Sequence, residues 1–345
     1  MHEARDRVLG NAGLTGNSGI SQSRLRFLAL EFADLLGITN PGTHNLRFDE
    51  SQLQTIRILN RLFFDERKPA ASVRIELGKM RPSRTARVIT VTSGKGGVGK
   101  TTVSVNLATA MGHSGLKTLL VDADMGLGNV HVLAGVDGRK TVAELVPGGA
   151  TIETLLVDGP ANVKILCAGS GMAKQADMDE RTLKHISREL DRIAPLFDVI
   201  LIDTGAGIAS QVVHFLRMAQ DIVLVTTPDL TAVLDAYGVI KVGREAGVDG
   251  TFRVLVNCAD SVDEAKHVFD RIGGCAQRFL GFTPELLGHV KRDDVVRNAN
   301  QRRRPLVQSH PNAIASRAFA GLAGKLAGDL MTKKSAVAED RVVAV

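Results

Sequence analysis

Val88–Thr102 reads VITVTSGKGGVGKTT. An apolar β run over Val88–Thr92 leads into Gly94-Lys95-Gly96-Gly97-Val98-Gly99-Lys100-Thr101, and after Thr102 comes a helical stretch, VSVNLATAM. This is the G-x-x-x-x-G-K-[ST] phosphate loop in the strand–loop–helix setting that its chemistry needs. Glycines let the backbone wrap closely round phosphate. Loop amides and the helix N-terminus then face anionic oxygens. The pattern predicts that Gly94 through Thr102 cradle a nucleotide. Lys100 is expected on the β- and γ-phosphates, and the Thr101 hydroxyl on Mg²⁺.

Outward from this loop, residues 87–332 alternate apolar β runs with helical patterns. The strand candidates are Val88–Thr92, Thr118–Val121, Val163–Leu166, Val199–Ile202, Ile222–Thr226, Arg253–Val256 and Leu286–Val290. They are Val/Ile/Leu-rich and nearly continuous, as strands buried on both faces should be. The expected fold is α/β, a mostly parallel sheet covered by helices on both faces. Functional residues then belong at the carboxyl ends of the strands. Residues 1–86 read as an N-terminal helical extension and linker, with helices over Ser23–Leu36 and Glu50–Phe64. The polar stretch Gly10–Ser23 reads as a lead-in, and Glu66–Ala86 as the linker. Residues 333–345 read as a flexible C-terminal tail.

Two acidic segments follow the loop. Leu119-Leu120-Val121-Asp122-Ala123-Asp124 places two carboxylates at a strand end, a constellation that can serve metal and water. Val199-Ile200-Leu201-Ile202-Asp203 is an apolar strand closing on an acid, the Walker B pattern, and Asp203 is expected to hold Mg²⁺ through water. Gly205 and Gly207 after it permit a loop that reorganises when the γ-phosphate leaves.

The second lysine of the loop, Lys95, carries a family resemblance. KGGVGKTT resembles the deviant Walker A motif of the MinD/ParA class of P-loop ATPases. In that class the extra lysine reaches across a nucleotide-sandwiched dimer to the other subunit's phosphates. An extra cation there offsets transition-state charge as an arginine finger does. The resemblance implies a homodimer with ATP and Mg²⁺. In it, Lys95, Lys100 and Asp124 are catalytic, and Asp124 orients the attacking water. Thr101, Asp122 and Asp203 serve the metal. Gly94 to Thr102, Gly205 and Asn257 bind the nucleotide, Asn257 at the adenine. Within the class, Ile202–Gly207, Thr226–Tyr237, Ala168–Gly171 and Asp293–Leu326 are similar to the flagellar-number regulators called FlhG, FleN or YlxH. That branch implies a spatial or numerical regulator of flagellar assembly. Its partners are an FlhF-like GTPase, a switch-ring protein or a transcription activator. The short D-Q-A-x-x-L-R activation helix of those regulators has no counterpart here.

Composition bounds the alternatives. The 345 residues are 44% apolar and 23% charged, which excludes a disordered chain. Three cysteines without a C-x-x-C pair argue against zinc ribbons, iron–sulfur scaffolds and disulfide frameworks, and fit a reducing cytoplasm. No run of 18 apolar residues exists, so no membrane-spanning helix is expected. The net charge of +6 is compatible with nucleic acid or an anionic membrane surface. At 4% aromatic residues, base-stacking platforms are not the main device. A rival reading is a partition ATPase of the ParA type that binds DNA non-specifically through surface cations such as Arg302-Arg303-Arg304. Phe319, Leu322, Leu326 and Leu330 share one helical face. That face either lies on the inner surface of the cell membrane or packs on the sheet.

Overall fold

The computed structural model describes residues 9–10, 20–36, 47–48, 50–70, 72–73, 86–145, 149–168 and 180–342. Most of the lead-in and linker and the segment Gly169–Gly171 lie outside these. Two compact units divide the chain, Met1–Arg84 and Thr85–Val345.

In the first unit, β1 (Leu9–Gly10) is followed by α1 (Gln22–Glu31) and α2 (Ala33–Leu36), then by β2 (Arg47–Phe48) and α3 (Glu50–Asn60). β1 and β2 pair antiparallel. Ser21 caps α1 by accepting the Arg24 amide, which satisfies a donor the helix leaves open. One helix was expected over Ser23–Leu36, but the chain bends at Phe32 (φ −119°, ψ 28°). Phe32 is fully buried there, in a core with Leu25, Leu28, Leu53, Ile56, Leu59 and Leu62. A π-helical turn, Arg61–Asp65, extends α3.

The second unit begins with β3 (Arg87–Ser93), α4 (Lys100–His113), β4 (Thr118–Ala123), α5 (Val130–Ala134), α6 (Ile152–Leu155), β5 (Val157–Asp158) and β6 (Lys164–Leu166). Next come α7 (Glu180–Ile193), β7 (Val199–Ala206), α8 (Ser210–Met218), β8 (Asp221–Thr226), α9 (Leu230–Glu245) and β9 (Thr251–Ala259). The chain closes with α10 (Val262–Leu280), β10 (Glu285–Lys291), α11 (Asp294–Gln301), α12 (Leu306–Ser309) and α13 (Ile314–Val342). The sheet order is β10-β9-β8-β3-β7-β4-β6-β5. All pairings are parallel except β5 with β6. Each of the seven expected apolar runs falls in a strand, except that Val163 lies just before β6. β5 is an addition: two residues long, it carries no periodic signal.

The sheet is covered on both faces, as expected. Helices α7 to α10 pack over one face through Ile186, Phe215, Ala236 and Ile272. Helices α4, α12 and α13 pack over the other through Leu107, Leu306 and Phe319. β3 lies centrally, between β7 and β8, so its carboxyl end opens where the strand order reverses. Such a switch point leaves a crevice for a ligand. At the opposite, amino ends, buried Asp221 accepts Arg87 Nε at 2.5 Å and Arg253 Nε at 2.8 Å. Arg253 also pairs with Glu285. These contacts tie β3, β8, β9 and β10 together away from the crevice.

Of the two readings of the last apolar face, packing on the sheet is the one found, and the reading of the tail changes. Phe319, Leu322 and Leu326 are buried in the sheet core, so this apolar face is packing surface and not a free bilayer surface. Helix α13 breaks at Gly328 (φ 19°, ψ −102°) and then runs on to Val342. Residues 333–342 are therefore helical, where a loose tail was expected; Ala, Lys and Glu in that stretch favour the helix. Among the described residues no helix is long and apolar enough to cross a membrane.

Candidate functional site

The loop between β3 and α4 takes its shape from glycine at positions that tolerate nothing larger. Gly97 (φ 80°) and Gly99 (φ 88°) hold left-handed backbone, which side chains resist. A Cβ on Gly99 would lie 2.4 Å from Asn257 Nδ2, and one on Gly94 would lie 2.2 Å from the Asp235 carbonyl. Two of the loop's glycines are thus needed for close packing on β9 and α9. Ser93 Oγ donates to the Lys95 carbonyl at 2.9 Å. Asn257 Nδ2 donates to the Val98 carbonyl at 2.8 Å. Asn257, expected at the adenine, here braces the loop from the end of β9. Thr102 Oγ1 accepts Asn300 Nδ2 at 3.0 Å, which ties the first turn of α4 to α11.

β4 and β7 are neighbours, and their register sets Asp122 directly beside Asp203. Both carboxylates are fully buried. Asp122 accepts the Asp124 amide through Oδ1 at 3.2 Å and the Val130 amide through Oδ2 at 3.1 Å. Burial, reinforced by the Asp203 charge, pushes the Asp122 carboxyl up to about 8. Burial also raises Asp203, against the opposing pull of Lys100, Ser104 and Thr101. Asp203 Oδ1 accepts Ser104 Oγ at 2.7 Å. Its Oδ2 is buried with no hydrogen-bond partner among the described residues. Lys100, 8% exposed, lies at the start of α4 beside this pair.

An unpaired buried carboxylate oxygen is costly unless something binds it. The donors around it, a threonine hydroxyl and carboxylate oxygens, are hard oxygen ligands of the kind Mg²⁺ takes. Among the described residues no group of three His, Cys, Asp or Glu could hold a metal by itself. A Mg²⁺ ion here would need phosphate and water to complete its shell, as it does at phosphate sites. The residues present therefore fit Mg²⁺ with a nucleotide. Thr101, Asp122 and Asp203 would hold the ion, and Lys100 with the loop amides would hold the phosphates.

Asp124, half-buried, accepts the Leu127 amide through Oδ1 at 3.1 Å. The same oxygen lies 3.7 Å from where a Cβ on Gly205 would stand, so the two acidic loops converge here. Lys95 stands apart from these groups. Its Nζ donates to Thr231 Oγ1 at 2.5 Å and to Asp229 Oδ1 at 3.3 Å. Asp229 also caps α9, accepting the Thr231 and Ala232 amides. The Thr231 hydroxyl, the Ala232 amide and Lys95 hold its carboxyl down at about 2.

The structure thus gathers Lys100, Thr101, Asp122 and Asp203 at one point, with Asp124 and Gly205 next to each other. Ser104, Asp229, Thr231 and Asn300 were missed by sequence reasoning. Ser104 alone had a local signal: it lies one helical turn after Lys100, on the same face of α4. Replacing Ser104 with alanine is expected to raise the Mg²⁺ needed for nucleotide binding about tenfold, since the group orienting a metal-facing carboxylate is lost. Nucleotide titrations at graded Mg²⁺ check this, and an unchanged Mg²⁺ requirement would remove Ser104 from the site.

The sequence model of the ParA family, described as "NUBPL iron-transfer P-loop NTPase", matches residues 84–327. The chain is similar to antiactivator FleN of Pseudomonas aeruginosa PAO1, at 38% identity over 252 residues, 73% of this chain and 89% of that protein. It is similar to the flagellum site-determining protein YlxH of Helicobacter pylori, at 30% identity over 255 residues, 71% of this chain and 83% of that protein. Among solved structures it resembles septum site-determining protein MinD complexed with Mg-ADP from Pyrococcus horikoshii OT3. The TM-score is 0.60 at 26% identity, covering 70% of this chain and 96% of that one.

Proposed function

The chain belongs to the ParA family of P-loop NTPases, and from that premise we propose a Mg²⁺-dependent ATPase that works as a dimerising switch in flagellar assembly. The observation that carries the reading is the buried Asp122–Asp203 pair beside Lys100 and Thr101, with Asp203 Oδ2 unpartnered. That arrangement is short of positive charge and of oxygen-bound metal, and Mg·ATP supplies both terms at once.

In the reaction, Lys100 and the loop amides hold the phosphates. Asp124 orients the attacking water, because phosphoryl transfer asks for placement and charge stabilisation more than for a strong base. Thr101, Asp122 and Asp203 would hold Mg²⁺, which would supply neutralisation of phosphate charge. Lys95 leaves Asp229 and Thr231 and serves the partner copy's phosphates, which makes hydrolysis depend on dimerisation. Turnover is slow, and the two nucleotide states are the output. FleN is named an antiactivator and YlxH a flagellum site-determining protein. The first name supports a transcription activator as a partner and the second a role in flagellar siting; an FlhF-like GTPase or a switch-ring protein follows only from the resemblance of the sequence. Contact with a bilayer through the apolar face of α13 is not part of the proposal, since that face is buried.

Asp124→Ala is the test. The variant is expected to bind Mg·ATP, to lose hydrolysis by about a hundredfold or more, and to sediment as a trapped dimer. Unchanged steady-state hydrolysis would remove Asp124 from the mechanism, and a monomer under saturating Mg·ATP would sink the dimer switch. Co-sedimentation with duplex DNA that weakens steeply with salt would move the assignment to a partition-type ATPase.

A further inference from the structure

Three consecutive arginines, Arg302, Arg303 and Arg304, follow α11, and all three are exposed. Among the described residues, none of their side chains makes an ion pair. Their backbone is held tightly. The Arg303 amide donates to Asn300 O at 3.0 Å and the Arg304 amide to Ala299 O at 3.2 Å, closing the end of the helix. Arg303 therefore sits in left-handed backbone, at φ 53°. That is the position where helices usually place glycine, because a Cβ is unfavourable there. A strained residue that persists on a surface points from the strain toward a use for its side chain.

A second contact brings a neighbouring loop to this turn. A Cβ on Gly135 would lie 2.4 Å from the Arg303 carbonyl, so the loop beginning at Gly135 presses directly on this turn. That loop carries Arg139, whose side chain is 89% exposed, and Lys140, also exposed. Asp137 pairs with Arg139 and is the one acid between Gly135 and Lys140. The unit as a whole is balanced. Residues 1–84 carry 13 of the 43 Lys and Arg and 9 of the 37 Asp and Glu, leaving 30 cations against 28 anions in the second unit. Arg302–Arg304 is thus a run of three exposed cations on a nearly neutral unit.

We propose that Arg302, Arg303 and Arg304, with Arg139 and Lys140 on the adjoining loop, form a docking surface for an acidic segment of a partner protein. Guanidinium forks match carboxylates in pairs, and a rigid turn presents them with less ordering to be done on binding. Three adjacent residues span about 10 Å at most, which suits a short run of Asp or Glu. Non-specific duplex binding draws on many phosphate contacts along an extended basic face, and the balanced unit has no such excess. This inference does not depend on the ATPase reading.

The test measures binding of a fluorescent poly-glutamate peptide to the full chain, beside a mixed-sequence DNA duplex and phosphatidylserine vesicles. The peptide is expected to bind, to weaken with salt, and to lose about tenfold in affinity in the Arg302→Ala/Arg304→Ala double variant. Arg303→Gly is expected to weaken peptide binding while raising the melting temperature, because glycine relieves the strained cap. A merely structural Arg303 would not couple those two changes. No peptide binding, or binding unchanged in these variants, overturns the proposal. Tighter binding of the duplex or the vesicles through the same arginines overturns the assignment to an acidic protein.

Discussion

Replacing Lys100 with alanine is expected to abolish nucleotide binding while leaving the sheet folded. Lys100 is almost wholly buried and lies at the first turn of α4, beside Asp203. Its ammonium is the cation that pulls the Asp203 carboxyl back toward ionisation. Without it, two adjacent buried carboxylates face an incoming triphosphate with no fixed positive side chain between them. Truncating a buried charge contact to a ligand costs about 2–5 kcal/mol of binding, which corresponds to a loss of roughly thirtyfold to several thousandfold in affinity. The fold survives because Asp122 and Asp203 are already pushed toward their neutral forms by burial, so the variant is not left with two full uncompensated charges. Titration with a fluorescent ATP analogue, beside a thermal melt that reports the fold, separates the two effects. Tight nucleotide binding retained by a folded Lys100→Ala protein would contradict the phosphate-loop assignment.

The second large effect is on stability against pH. In the metal-free protein the Asp122 carboxyl is raised from 3.8 to about 8. Between those values the folded state keeps a proton that the unfolded chain has released. Stability is therefore highest below about pH 4 as far as this group is concerned, and falls as pH rises toward 8. The slope is about 1.4 kcal/mol per pH unit at its steepest. Mg²⁺ with nucleotide favours the ionised carboxylate, so its addition should restore stability most at the alkaline end and release a proton as it binds. Thermal melts of wild type and Asp122→Asn across this window isolate the group, since the amide cannot titrate. The wild type should lose melting temperature relative to the variant as pH rises. Parallel profiles for the two proteins would show that Asp122 carries no such burden.

Much of the fold was legible because it is written locally. Continuous Val/Ile/Leu runs mark strands buried on both faces, and each of the seven runs, Val163 apart, was found in the sheet. The limits of the strands were less legible. β7 runs to Ala206, four residues beyond its apolar run, and carries Asp203 and Gly205 with it. β9 likewise runs on past Asn257 to Ala259. Strand ends depend on what a neighbour offers for pairing, not on the apolar pattern alone. β5 is too short to produce a pattern, and the bend at Phe32 answers to a core that Ser23–Leu36 cannot see from its own spacing.

By itself, then, the sequence determined the strand–loop–helix around Gly94–Thr102, the α/β class and the acids that follow the apolar runs of β4 and β7. These are properties of spacing and residue type within a few turns of chain, where glycine freedom, helix periodicity and strand burial act directly. Tertiary structure decided which of those groups meet. Ser104 and Asp203 are 99 residues apart, Lys95 and Asp229 are 134 apart, and Val98 and Asn257 are 159 apart. Contacts at that separation follow from strand order, since β3 lies between β7 and β8 and brings the ends of distant segments to one edge. The orphaned oxygen of Asp203, the bracing of the loop by Asn257 and the resting place of Lys95 on α9 are consequences of that order. No local pattern of residues encodes them.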